Sequence, residues 1–169
     1  MSAMPSESGA GSVVRAWLGF ALLVVAHFAV RPLFASRANV EFLLIAVLFA
    51  TVRVRPGVAA LLGLMAGLAL DALAPAGFGS AALSMVIVAF VASWVKAVFF
   101  AEHVALTGLF VFVGKFVFDA LHAIFGGGVH GISLVVELLL WTPLSAALTA
   151  VVAILLLTVF RPLYRPSLR

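Results

Sequence analysis

The chain has no cysteine and a single tyrosine, and only 9% of its 169 residues carry a formal charge. Without cysteine, disulfides and thiolate metal sites are excluded. The scarcity of charge excludes more. A soluble domain is about half apolar and about a quarter charged, whereas this chain is 66% hydrophobic with a mean hydropathy of +1.32. Such a composition cannot be sorted into a dry interior and a wet surface in water, so it belongs in lipid. Catalytic signatures are missing as well: neither G-x-S-x-G nor H-E-x-x-H occurs, which removes the common hydrolase and metalloprotease patterns. The four histidines, His27, His103, His122 and His130, are dispersed and none pairs at i, i+4, the spacing that sets two imidazoles on one metal. The residues therefore predict no enzyme, no cofactor and no metal centre. The net charge of +4 and pI near 10.8 come from scattered Lys and Arg. With no basic cluster interleaved with aromatics, they point to topology and anionic lipid headgroups, not to nucleic acid.

What is present is a series of apolar runs. A crossing helix needs about 20 mostly apolar residues, so six would use roughly 120, leaving little of this chain for a domain outside the bilayer. The runs fall at residues 14–33, 40–52, 57–73, 78–100, 104–125 and 132–160. They predict an all-α integral membrane protein, about six transmembrane helices in one bundle over 13–169, preceded by a disordered cytoplasmic tail at 1–12 (MSAMPSESGAGS). The first run also resembles a signal peptide, but His27 interrupts its core and no cluster of positive charge precedes it; a retained helix is the better reading. The run at 40–52 is short for a full crossing, leaving a short span or a re-entrant segment open. RVRPG marks the turn after it, with Pro56 suited to a helix start. Pro143 should bend the last run, which is longer than a bilayer requires and should tilt or project.

Six spans put both termini on one side. Placing the N-terminus inside assigns Arg15, Arg53, Arg55, Lys96, Arg161, Arg165 and Arg169 to the cytoplasm, and Arg31 and Arg37 to the exterior. That is a clear positive-inside bias, so both termini are expected in the cytoplasm of a multi-pass inner-membrane protein.

The same topology collects Glu41, Asp71, Asp119 and Glu137 toward the outer leaflet. A carboxylate within a span costs about 2.5–3.5 kcal/mol at the helix centre on insertion scales, less near the ends, and should face protein or a wet cavity. Gly63, Gly67 and Asp71 recur every four residues and form one stripe, on which another helix can approach closely. Ala82, Ala89 and Ser93 make a second small-residue stripe. In the fifth run Gly108, Lys115, Asp119, His122 and Gly126 fall within an arc of about 60°, and Lys115–Asp119 at i, i+4 can pair. Two readings stay open for this polar face with Glu137: an internally neutralised packing surface, or a proton relay or substrate pocket. Ser84, Ser93 and Ser145 read as small packing residues.

The stretch Val40–Trp94 resembles the MreD family of rod shape-determining membrane proteins. The resemblance is carried by EFLLIAVLFATV, a basic turn, then Gly63, Gly67-Leu68, Asp71 and Gly79 before a helix of small and aliphatic residues. It implies a non-catalytic scaffold of the bacterial cell-elongation complex that binds MreC. Through it the scaffold would be linked to MreB, RodA and a class B penicillin-binding protein, helping to organise peptidoglycan synthesis and rod cell shape. It also implies a bundle like the substrate-binding subunits of energy-coupling-factor transporters. Gly63, Gly67, Leu68, Asp71 and Gly79 are carried over as partner-binding or packing positions, with no catalytic role. Two other readings compete: a vitamin-type transport subunit, which would retain a small ligand, and an intramembrane enzyme or proton-translocating subunit using Lys115, Asp119, His122 and Glu137.

Overall fold

The computed structural model describes residues 18–19, 21–25, 27, 40–73, 77–99, 104–127 and 131–164, with the backbone alone at 96–99, 104 and 159–164. The described residues between 18 and 27 are helical (α1). They are followed by α2 (Phe42–Thr51), α3 (Pro56–Asp71), α4 (Ser80–Phe99) and α5 (Val104–Gly126). The last segment is continuous but not uniform: α6 (Ile132–Val136), a π-helical turn (Glu137–Trp141) and α7 (Thr142–Tyr164). Six helical segments match the expected six, and no strand occurs among the described residues. The predicted bounds of the first run, and the loops carrying Arg31, Arg37, His103 and His130, lie outside the described residues.

The short run at 40–52 becomes the centre of the bundle. As an α-helix, the ten residues of α2 span about 15 Å, half the roughly 30 Å hydrocarbon thickness. Its sequence is apolar on every side, the pattern of a helix surrounded by protein, and Leu43 through Leu48 are all buried. Helices α3, α4, α5 and α7 all contact it. The outer helices pack in two main pairs, α3 on α4 and α5 on α7, joined by α4 against α5.

Small residues set the first pair. Ala59, Gly63, Ala66 and Gly67 of α3 are buried against α4. A Cβ at Gly63 would sit 2.6 Å from the Met85 carbonyl oxygen, and one at Gly67 would run into the Cα of Ala82 and stand 2.7 Å from the Ala81 carbonyl oxygen. Both glycines are required by backbone-to-backbone approach, the packing that replaces hydrophobic collapse where lipid is the solvent. The expected stripes on the third and fourth runs therefore meet each other: Ala82, Ala89 and Ser93 are buried in the same pair.

The large side chains face the other way. Met65 is 65% exposed, Trp94 67% and Leu139 71%, and Leu61, Leu83, Val91 and Leu155 also point outward, whereas Ser84, Ser93, Thr142, Ser145 and Thr149 are inside. A bundle that exposes its large hydrophobics and buries its hydroxyls is arranged for hydrocarbon rather than water. Several of those hydroxyls are satisfied locally, as Ser84 donates to the Ser80 carbonyl at 2.7 Å and Thr149 to that of Ser145 at 2.8 Å. Ser93 does more, since its hydroxyl donates to the Val54 carbonyl at 3.1 Å and fastens the α2–α3 turn to the far end of α4. By length and composition, Ala105–Gly126 and Ile132–Thr158 suffice to cross a bilayer, while Phe42–Thr51, Pro56–Asp71 and Ser80–Val95 are shorter apolar helices.

Pro143 acts through the π turn just before it. Proline has no N–H to give and its ring collides with the carbonyl four residues back. Here the ladder has already widened, with the Thr142 N–H donating to the Glu137 carbonyl, five residues back. None of the residues from Ile132 to Trp141 is buried, so this end of the last segment projects from the bundle.

Candidate functional site

Alternation of direction brings the start of α2, the end of α3, the start of α4 and the end of α5 to one end of the bundle. Three polar arrangements gather there.

The first is built on Asp71, the last residue of α3. Helix α4 starts at Ser80, just after Gly77 and Gly79, whose φ values of 85° and 96° lie in the left-handed region that glycine adopts without strain. A helix start leaves four N–H groups without intrahelical acceptors, and the side chain that normally accepts them belongs to the residue before the first helical one. That residue is Gly79, which has none. Asp71 supplies the missing acceptor: its Oδ1 accepts from the Ala81 N–H at 3.1 Å and its Oδ2 from the Ala82 N–H at 2.9 Å. The negative group also meets the positive end of the α4 dipole. Asp71 is buried, and the groups it holds are backbone amides of this chain.

The second is a contact between Ser80 and His122. Ser80 Oγ and His122 Nδ1 share a hydrogen bond of 3.1 Å, and the imidazole stacks on Phe118 with ring centroids 5.7 Å apart. Ser80 is buried and His122 exposed. Gly126 lies beside Gly77, so the ends of α4 and α5 close on each other here.

The third is an ionic recess. Lys115 is only 2% exposed, yet its Nζ lies 2.5 Å from Asp119 Oδ1 and 3.8 Å from Glu41 Oε1. The ammonium also stands 5.4 Å from the Phe118 ring centroid, a cation–π contact. The two acids are 15% and 19% exposed; the recess is open on its acidic side, with the ammonium at its base. Two carboxylates around one ammonium leave one negative charge in excess. The second Glu41 oxygen, Oε2, is buried and accepts no hydrogen bond from the described residues. The arrangement can therefore receive a donor or a cationic group from outside.

Of the polar face read from the sequence, Lys115 and Asp119 come together, His122 turns to Ser80, and Glu137 is exposed on the π turn. Glu41 meets Lys115 because α2 lies beside α5, an adjacency that no spacing within one helix announces. Ser80 carried no signal. Among the carried-over positions, Gly63, Gly67 and Asp71 pack inside the α3–α4 pair, Gly79 shapes the turn, and Leu68, 40% exposed, lies on the outer face. Among the described residues no group of three metal-ligating side chains occurs.

A family model described as rod shape-determining protein MreD matches residues 12–166. No curated protein and no solved structure matches the chain.

Proposed function

The chain belongs to the MreD family of rod shape-determining proteins, and on that premise we propose that it is a non-catalytic, multi-pass scaffold of the cell-elongation complex. In this reading residues 13–169 form one transmembrane domain with both termini in the cytoplasm. The protein binds MreC and helps organise peptidoglycan synthesis around MreB, RodA and a class B penicillin-binding protein. Family membership carries the role in cell shape. The observation that supports a docking function is the ionic recess: a binding partner with a basic or amide-bearing segment could neutralise the excess charge and satisfy Glu41 Oε2. Gly63, Gly67 and Asp71 then serve docking indirectly, by holding α3 and α4 in register.

Depletion in a rod-shaped host tests the role. Rounding of the cells is expected; normal shape accompanied by a vitamin requirement would instead support a transport subunit.

A further inference from the structure

The helices end level on one side of the bundle and unevenly on the other. On the level side Gly77 lies beside Gly126 and Ser80 bonds to His122, so the turn before α4 and the end of α5 form a common rim. From Ser80 to Ser93 along α4, and from His122 to Leu109 along α5, the helical rise is about 20 Å. Ser93 holds the Val54 carbonyl, which sets the α2–α3 turn at the depth of Leu109. A Cβ on Gly108 would meet the Ile154 side chain, so Leu155 of α7 shares that depth. Neither α2 nor α3 reaches past the turn. Helix α7 runs on to Tyr164, about 15 Å further, passing Arg161 after about 10 Å.

The α2–α3 turn is not built for hydrocarbon. Arg53, Arg55, Gly57 and Val58 are all exposed. Helix α3 starts without a side-chain cap, so its first N–H groups need acceptors from the surroundings. Open backbone of this kind does not occur against lipid tails, where no water can satisfy it. The rim turn is exposed in the same way at Gly77 and Phe78. Between the two turns α4 rises about 20 Å and the 16 residues of α3 about 24 Å, against a hydrocarbon core of about 30 Å. Exposed Val58, Leu61, Met65, Leu68 and Leu73 fill that interval with apolar side chains. On the α5–α7 side, exposed Leu109 and Leu155 occupy the depth of Arg55, and the helix Ile132–Thr158 is about 40 Å long. One flat slab cannot suit both sides.

We propose that the protein thins the bilayer along its α3–α4 edge, drawing the headgroups of one leaflet inward to the Arg55 turn. Because the rim is level, the deformation falls on the leaflet that faces the α2–α3 turn. Headgroup phosphates suit this position, since Arg55 and the positive end of the α3 dipole both favour anions. Thinning is one way a bilayer meets an apolar face shorter than its own core. The proposal rests on the reading of residues 13–169 as one transmembrane domain, and its test needs no protein partner.

Because the chain has no cysteine, a single introduced cysteine can carry a nitroxide label at a chosen depth. Gly57→Cys has open space around its Cβ, and Leu109→Cys and Leu155→Cys replace exposed residues at equal depth on the other side. Each full-length variant is reconstituted in vesicles of phosphatidylethanolamine and phosphatidylglycerol, with helicity checked by circular dichroism. Accessibility to oxygen, which concentrates in hydrocarbon, is compared with accessibility to a water-soluble nickel chelate. The label at position 57 should favour nickel, and the labels at 109 and 155 oxygen. The label at 57 should also relax lipid phosphorus about tenfold or more faster than the label at 109. That effect falls with the sixth power of distance, and about 10 Å of depth separates the headgroups on the two sides. An oxygen preference at 57 equal to that at 109 overturns the proposal. So does nickel access at 57 without phosphorus relaxation, the sign of a water-filled notch, or shielding from both reagents, the sign of a covering protein segment. Nickel access at all three positions overturns the transmembrane reading beneath it.

Discussion

Replacing Asp71 separates a carboxylate that holds the fold from one that holds a partner. In Asp71→Ala the N–H groups of Ala81 and Ala82 lose their acceptors at 3.1 and 2.9 Å. Each buried donor left unsatisfied costs about 1–3 kcal/mol, and loss of a negative group at a helix start adds about 0.3–1 kcal/mol. Gly79 has no side chain to substitute, and no bulk water reaches a position this buried. The expected destabilisation is about 2–7 kcal/mol on these figures. Asp71→Asn keeps one acceptor oxygen but turns an NH2 toward the other amide, so about half that loss is expected. The assay is reversible unfolding of the purified chain in mixed micelles with increasing SDS, followed by circular dichroism. The order should be wild type, then Asn, then Ala. If both variants unfold within about 0.5 kcal/mol of wild type, the range of an ordinary surface substitution, the capping argument is refuted and Asp71 must act outward.

The same unfolding assay checks the other contacts. Gly67→Ala forces a Cβ into the Ala82 backbone and should cost about 1–3 kcal/mol through overpacking, while Leu68→Ala on the outer face should stay within about 0.5 kcal/mol. Lys115→Met strands Glu41 and Asp119 against each other and should cost about 3–5 kcal/mol, whereas the triple variant Glu41→Gln/Lys115→Met/Asp119→Asn should be much closer to wild type. Ser93→Ala removes the hydroxyl's hydrogen bond to the Val54 carbonyl and should cost about 1 kcal/mol, with faster hydrogen exchange in the α2–α3 turn.

Much of the helical layout was legible because lipid imposes a simple rule: long apolar runs, broken where Pro56, Gly77 and Gly79 reset the backbone. The stripe of Gly63, Gly67 and Asp71 is legible because spacing of four fixes a side of a helix, and these residues lie buried on the side facing α4. Spacing could not say what packs there. The answer was the next helix, reached through a tight turn whose left-handed glycines aim the Ala81 and Ala82 amides back at Asp71. Lys115–Asp119 was legible for the same local reason, and Glu41 was not, because its partner comes from tertiary adjacency. Glu137 joins the polar face in the sequence by its expected depth toward the outer leaflet alone, which says nothing about the side of the helix it occupies. It lies exposed on the π turn, a widening of the ladder that no residue pattern announces.

The docking reading is tested most directly by MreC capture with Glu41→Gln, which cancels the excess negative charge of the recess but leaves the Lys115–Asp119 pair in place. Detergent-solubilised complexes would be purified on tagged MreC and the co-purifying chain quantified, with the variant's unfolding curve measured alongside. A variant as stable as wild type whose recovery on MreC drops about tenfold or more is the expected result, the scale of losing one charge-assisted contact. Full recovery of a stable Glu41→Gln chain would contradict the account and remove the recess from the interface.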